Sequence, residues 1–296
     1  MEPLPAGWIV AGHIVQFDEV AAALQRLIQA SGSSTRQVAL AMPDSAVIVS
    51  KIRRPSGMGE AELLRQVAAE VERLSDKPLA DMCVDYRVQG RPHEPGHGTE
   101  VDVWIAAAVK EKVQDRLGLA EAAGLDAVIL DVEAEASMLA ARRLIRAPQS
   151  ASASPVMALI QVELAGYSLH VTFQEEVVHA VRKSVESAHL IEHSAQAVLQ
   201  PFIDKLADNL ASDLDAFLSA STHRKMDTIL LAGESSWLPL LQKAIKQRTF
   251  SDCLVVDVFS GMRVNEFMQN AALHPAWRSS MLTACGLALR RFHGSC

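Results

Sequence analysis

The sequence predicts an α/β protein built in two halves. Three observations carry that prediction. Short segments with every second residue apolar alternate with segments whose apolar residues recur every three or four places. A nearly continuous apolar run, AVILDV at 127–132, has the look of a strand covered on both faces. A Ser/Ala/Pro tract from Ala147 to Pro155 then separates the halves.

In chain order, Leu4 to Val15 reads as an extended entry. Val20, Leu24, Leu27 and Ile28 follow as a helical stripe that ends at Ser31-Gly32-Ser33-Ser34. Val38, Leu40 and Met42 alternate, as do Val47 and Val49, which predicts two strands joined by a turn at Pro43-Asp44-Ser45. Leu64, Val67, Val71 and Leu74 make the next helix, stopped before Pro78. Strands are predicted at Val84, Tyr86, Val88 and at Val101, Val103, Ile105. A helix through Val113, Leu117 and Ala120 closes at Gly124. Another helix covers 134–145.

Beyond the linker, MALIQVEL, YSLHVTF and EEVVHAV predict three consecutive strands. A long helical tract presents Leu206, Leu210, Leu214, Phe217 and Leu218 on one face, with Pro201 in the first turn of a second helix. TILLAG is a strand, 238–248 a helix, CLVVDVF a strand and 278–291 a final helix.

Composition narrows the function. The 296 residues suffice for about two domains. Lys and Arg number 28 against 35 Asp and Glu, a net charge of −7, which argues against a general nucleic-acid binder. Hydrophobic residues at 49% and charged residues at 21% exclude a disordered chain. No stretch approaches the ~20 apolar residues of a membrane span, and MEPLPAGWIVAGHIV lacks the pattern of a secretory signal. Cys83, Cys253, Cys285 and Cys296 are far apart and form no C-x-x-C pair, so neither a disulfide framework nor a zinc knuckle is written here.

Local motifs are sparse. His189-Leu190-Ile191-Glu192-His193 matches the H-x-x-E-H pattern of inverted zinc peptidases, with both histidines on one helix face. A catalytic zinc needs a third protein ligand, and the sequence identifies none, so a solvated helix start is the simpler reading. His93 and His97 sit in a Pro/Gly-rich loop and read as an exposed turn. G-x-S-x-G, G-x-x-x-x-G-K-[ST] and G-x-G-x-x-G are all absent. Two glycine-bearing strand ends carry more weight: the hairpin through Glu163 to Ser168, and TILLAG breaking at Gly233 before a helix. Such junctions offer backbone N–H groups to an anion.

In order and spacing, several segments resemble the PilM family of actin-like proteins of type IV pilus assembly, and more distantly FtsA. They are LPAGWIVAGHIVQFDEVAAALQRLI, QVALAMPDSAVIVSKIRRP, EVERLSDKPLADMCVDYRVQG, WIAAAVKEKVQDRLGLAEAAGLDAVILDVEAEA, TILLAGESSWLPLL and ACGLALRRF. The resemblance implies an actin/Hsp70-like two-lobed fold with an inserted FtsA-type α/β subdomain. Residues 1–35 and 128–146 would be a remnant of the first lobe, 36–127 the inserted subdomain, 147–155 the linker, and 156–296 the second lobe with a helical part at 187–225. The sequence begins after the place of the family's first phosphate-binding hairpin, so the first lobe is expected to be incomplete.

The resemblance also places a nucleotide site, in degenerate form, at Glu163, Gly166, Ser168, Gly233, Glu234 and Ser235. Where the family has D-I-G-x-x-x-T, this chain has Glu163-Leu164-Ala165-Gly166-Tyr167-Ser168-Leu169, with the bulky Tyr167 expected beside the phosphates. Where the family has S-G-G-x-x-x-x-P-G-L, it has Ala232-Gly233-Glu234-Ser235-Ser236-Trp237-Leu238-Pro239-Leu240. ATP binding is therefore expected to be weak or absent, with no catalytic residue and no metal. The function implied is a scaffold at the cytoplasmic face of the inner membrane. It would grip the N-terminal cytoplasmic peptide of the membrane protein PilN and join other inner-membrane pilus assembly proteins. The alternative is an actin-fold ATPase or kinase-like phosphotransferase, for which Glu163 and Asp131 are the candidate acids at Mg-ATP.

Overall fold

The computed structural model describes residues 2, 4–5, 7–10, 12–89, 100–145, 155–163, 166–174, 176–185, 196–233, 236–262 and 275–290. They fall into two compact units, one up to Glu133 and one from Ala134 to Arg291.

The first unit opens with a hairpin of β1 (Ile9–Val10) and β2 (His13–Ile14), followed by α1 (Phe17–Ser31). Asp18 and Glu19 sit in the first turn of α1, where the helix dipole favours negative charge. Gly32 ends it in the left-handed conformation at φ 63°, and its N–H bonds the Gln29 carbonyl. Then come β3 (Gln37–Met42), β4 (Val47–Pro55), α2 (Glu60–Leu74), β5 (Met82–Gln89), β6 (Glu100–Val109), α3 (Lys110–Ala122) and β7 (Asp126–Val132). Strands β4, β6 and β5 form an antiparallel sheet with β6 in the middle. Val67 and Val71 of α2 pack on that sheet's Ile52, Val103, Ile105 and Ala107.

The strands flanking Pro43 do not pair with each other. β3 runs parallel to β7, with Leu40 opposite Leu130, whereas β4 joins β6. A 3₁₀ turn at Asp44–Ala46 carries the chain from one sheet to the other. Residues 37–42, which the sequence groups with the inserted subdomain, therefore share a sheet with 126–132. The expectation that AVILDV is buried on both faces is corrected. No residue of β7 is fully buried, and Val128 is 40% exposed. β7 lies in a two-stranded sheet with β3, against which α3 packs, and its side chains are only partly covered.

The second unit contains α4 (Glu133–Ile145), β8 (Met157–Glu163), β9 (Gly166–Phe173), β10 (Glu176–Ser184), α5 (Gln196–Ala220), β11 (Thr228–Gly233), α6 (Leu238–Thr249), β12 (Cys253–Val255), α7 (Pro275–Ser280) and α8 (Leu282–Ala288). Its five-stranded sheet has the order β10-β9-β8-β11-β12. The first three strands are antiparallel, and β8, β11 and β12 are parallel. An antiparallel meander extended by parallel strands that each follow a helix is the lobe of an actin-like fold.

Central position explains why MALIQV is apolar at every place but Gln161. Ala158, Ile160 and Val162 face Ile203, Leu206, Leu210 and Leu214 of α5 and Leu238, Leu241 and Ile245 of α6. Met157 and Leu159 face Met138 and Ala141 of α4 and Leu282 of α8. Full burial of each such aliphatic side chain stabilises by about 1.5–3 kcal/mol, which makes this double-sided core the main support of the unit.

Three boundaries differ from expectation. Pro201 lies inside α5, which starts five residues earlier, rather than in the first turn of a separate helix. It deletes one backbone bond near the helix start, a loss outweighed by the buried face from Ile203 onward. Strand β12 stops at Val255 because the Asp257 carboxylate accepts from the Phe259 N–H and from Arg278, turning the chain away. The final helix is two short ones that break at Met281.

Candidate functional site

The residues singled out by the sequence converge only in part. Glu163 ends β8, and Gly166 begins β9 directly opposite it. Gly233 ends β11 opposite Val162, the neighbour of Glu163. Ser168 lies two residues along β9, buried and opposite Gln161. One end of the sheet thus gathers Glu163, Gly166 and Gly233. Glu234 and Ser235 lie outside the described residues, as do His93, His97 and the whole of 189–193.

Both glycines have a backbone reason for being glycine. A Cβ on Gly166 would stand against the Lys183 carbonyl oxygen, well inside contact distance. A Cβ on Gly233 would lie 2.5 Å from the Val162 carbonyl oxygen. Each therefore lets a neighbouring strand approach where any side chain would push it off. The Gly233 carbonyl is in turn fixed by the buried Ser279 hydroxyl, which donates to it over 2.5 Å. Glu163 pairs with Arg182 of β10 at 2.8 Å, so this acid already faces a cation. Asp131, the other acid considered for Mg²⁺, belongs to the first unit and accepts from the Val132 N–H at 2.8 Å.

Tyr167 is not where the sequence places it. In a strand successive side chains point to opposite faces. Tyr167 therefore turns away from Gly166 and Ser168 into the α5–α6 core, where it is 2% exposed. Its hydroxyl donates to the Asp213 carboxylate at 2.6 Å. Lys183, opposite Tyr167 on β10, reaches the other Asp213 oxygen. Burial, then the bond to Asp213, pushes the Tyr167 phenol well above its ordinary pKa. The ring fills core and occupies no place at the hairpin tip.

Asp213 went unnoticed in the sequence although a signal existed. It falls three residues after Leu210 and seven after Leu206, on the buried stripe of α5, where an unpaired carboxylate would be costly. A second polar tie holds α6 to α5. The Arg248 guanidinium donates to Asp208 at 2.6 Å and to Asp204 at 3.1 Å. Burial pushes the Cys253 thiol up to about 12, so it packs as a small hydrophobe rather than a nucleophile.

Among the described residues no three His, Cys, Asp or Glu side chains cluster as metal ligands. No described helix is long and apolar enough to cross a membrane. At the sheet end two close-packed glycines stand beside Glu163, itself paired with Arg182, and the polar groups of the second unit named here are engaged in joining neighbouring elements.

Comparison with known proteins fits this architecture. A chain of a PilM–PilN type IV pilus biogenesis complex superposes with a TM-score of 0.79 at 21% identity, over 97% of this chain and 89% of that one. The ethanolamine utilization protein EutJ from Carboxydothermus hydrogenoformans superposes with a TM-score of 0.50 at 12% identity, over 96% of this chain and 78% of that one. These likenesses and the sheet order give the fold as actin-like. The family model described as type IV pilus assembly protein PilM matches residues 1–189 and 182–292. Matched along nearly its whole length, the chain belongs to the PilM family of type IV pilus assembly proteins.

Proposed function

We propose that this protein is a non-catalytic scaffold of type IV pilus assembly that binds the N-terminal cytoplasmic peptide of PilN. Through that partner it sits at the cytoplasmic face of the inner membrane beside other pilus assembly proteins. The observation that carries the reading is the fold match, over nearly the full chain, to a chain of a PilM–PilN complex. Capture of an extended segment uses backbone hydrogen bonds and side-chain pockets and needs no reactive group. The test is co-expression with the PilN N-terminal segment fused to a carrier. Co-elution through size exclusion supports the reading, and separate elution of two folded proteins refutes it.

The nucleotide site is, in the same proposal, eroded. Support comes from residues with other duties: Gly166 and Gly233 admit neighbouring backbone, and Glu163 is bound to Arg182. Losing several charge-assisted phosphate contacts, at about 1.5–3 kcal/mol each, takes a micromolar site into the millimolar range. The competing reading, an ATPase or kinase-like phosphotransferase, draws on the convergence of Glu163, Gly166 and Gly233 at one sheet end. Calorimetric titration of Mg-ATP with a phosphate-release assay separates the two. Micromolar binding with turnover would favour the enzyme.

A further inference from the structure

The first unit has a small cleft, open to solvent, between β2, the end of β3 and α3. Its polar lining is His13, Lys112, Asp115 and Arg116. Lys112 and Arg116 are four residues apart on α3 and so share a face. One wall is the β1–β2 turn, where Gly12 has φ 80° and a Cβ would lie 2.5 Å from Pro43. That wall is held in place by Arg116, whose Nη2 donates to the Gly12 carbonyl.

Arg116 is the unusual member. Its guanidinium is desolvated, which pulls its pKa below the ordinary value, and Glu133 and Asp115 only partly offset that. A guanidinium has five N–H donors, and among the described residues its one hydrogen bond is to Gly12. Lys112 is held to Asp115 only at 3.8 Å. The cleft therefore presents two cations and an imidazole against Asp115, with the Glu133 carboxylate also acting on Arg116, in a chain whose net charge is −7. Spare donors on a partly dried guanidinium, with an ammonium one helical turn away, match the geometry of a small oxyanion.

We propose that this cleft binds a single small oxyanion, a carboxylate or a phosphate group, between Arg116 and Lys112. The proposal is independent of the pilus reading and uses no pilus partner in its test. Calorimetry on the purified protein at constant ionic strength would titrate inorganic phosphate in one arm and acetate in the other. Saturable binding of either is expected, and the tighter arm names the group. Lys112→Gln is expected to weaken it at least fivefold. Lys110→Gln is expected to leave it unchanged, because Lys110 bonds the Ala80 carbonyl instead. Arg116→Lys reports on the fork but removes the Gly12 tie, so Lys112→Gln decides. No saturable heat in either arm, or equal affinity in Lys112→Gln, would overturn the proposal.

Discussion

The Tyr167 hydroxyl donates a 2.6 Å hydrogen bond to the Asp213 carboxylate, joining β9 to α5 inside the core of the second unit. Lys183 completes the arrangement from β10, so a helix acid is held by two side chains that face each other across a strand pair. Tyr167→Phe keeps the ring and removes the donor, leaving Asp213 buried with Lys183 as its charge partner. Loss of a bond to a buried charged group costs about 1–3 kcal/mol. Urea unfolding should show a lower midpoint with an unchanged slope. A loss under about 0.5 kcal/mol would mean that water replaces the phenol.

Alkaline titration tests the same site by charge. Because the folded state raises the Tyr167 pKa, the unfolded chain releases its phenol proton first. The stabilisation is complete below the unfolded value, about 10, and falls as pH rises beyond it. In a Tyr86→Phe background Tyr167 is the remaining tyrosine of the two in the chain. Its phenolate absorbance near 295 nm should appear only together with loss of the circular-dichroism signal. Phenolate formation at about pH 10 with the fold intact would contradict the buried bond.

Gly166→Ala and Gly233→Ala should each destabilise by about 2 kcal/mol or more, because a methyl group meets a carbonyl of the adjacent strand. Gly57→Ala, with open space around its Cα, is the control and should fall within about 0.5 kcal/mol of wild type. Equal thermal melts for all three variants would show that the sheet end can spread.

How much of this was legible depended on whether a signal was local. Helical stripes such as Val67 and Val71, and the alternation of Tyr167, Leu169 and Val171, name their elements because period follows directly from backbone geometry. Partners were not legible. Nothing near Val38 says that it joins Ala127 nearly ninety residues on rather than the strand beyond Pro43. The same limit explains AVILDV and MALIQV. Both are apolar runs, yet only the second lies in mid-sheet with helices on both faces. At the candidate site the glycines were found but their duty was not, because close approach by Lys183 and Val162 is set by strand pairing. Tyr167 was assigned to the hairpin tip from motif position, although its own alternation with Gly166 and Ser168 already pointed it to the other face.

Capture of a PilN segment by this scaffold can be measured by calorimetric titration of the purified protein with the synthetic N-terminal cytoplasmic peptide of PilN from the same organism. The melting temperature would be followed in parallel, with and without Mg-ATP. The account predicts saturable binding with a 1:1 end point and a melting temperature that rises with peptide concentration, since the peptide binds only the folded state. It also predicts that Mg-ATP changes neither. A flat titration with no thermal shift at high peptide excess, from protein that melts cooperatively, would contradict it.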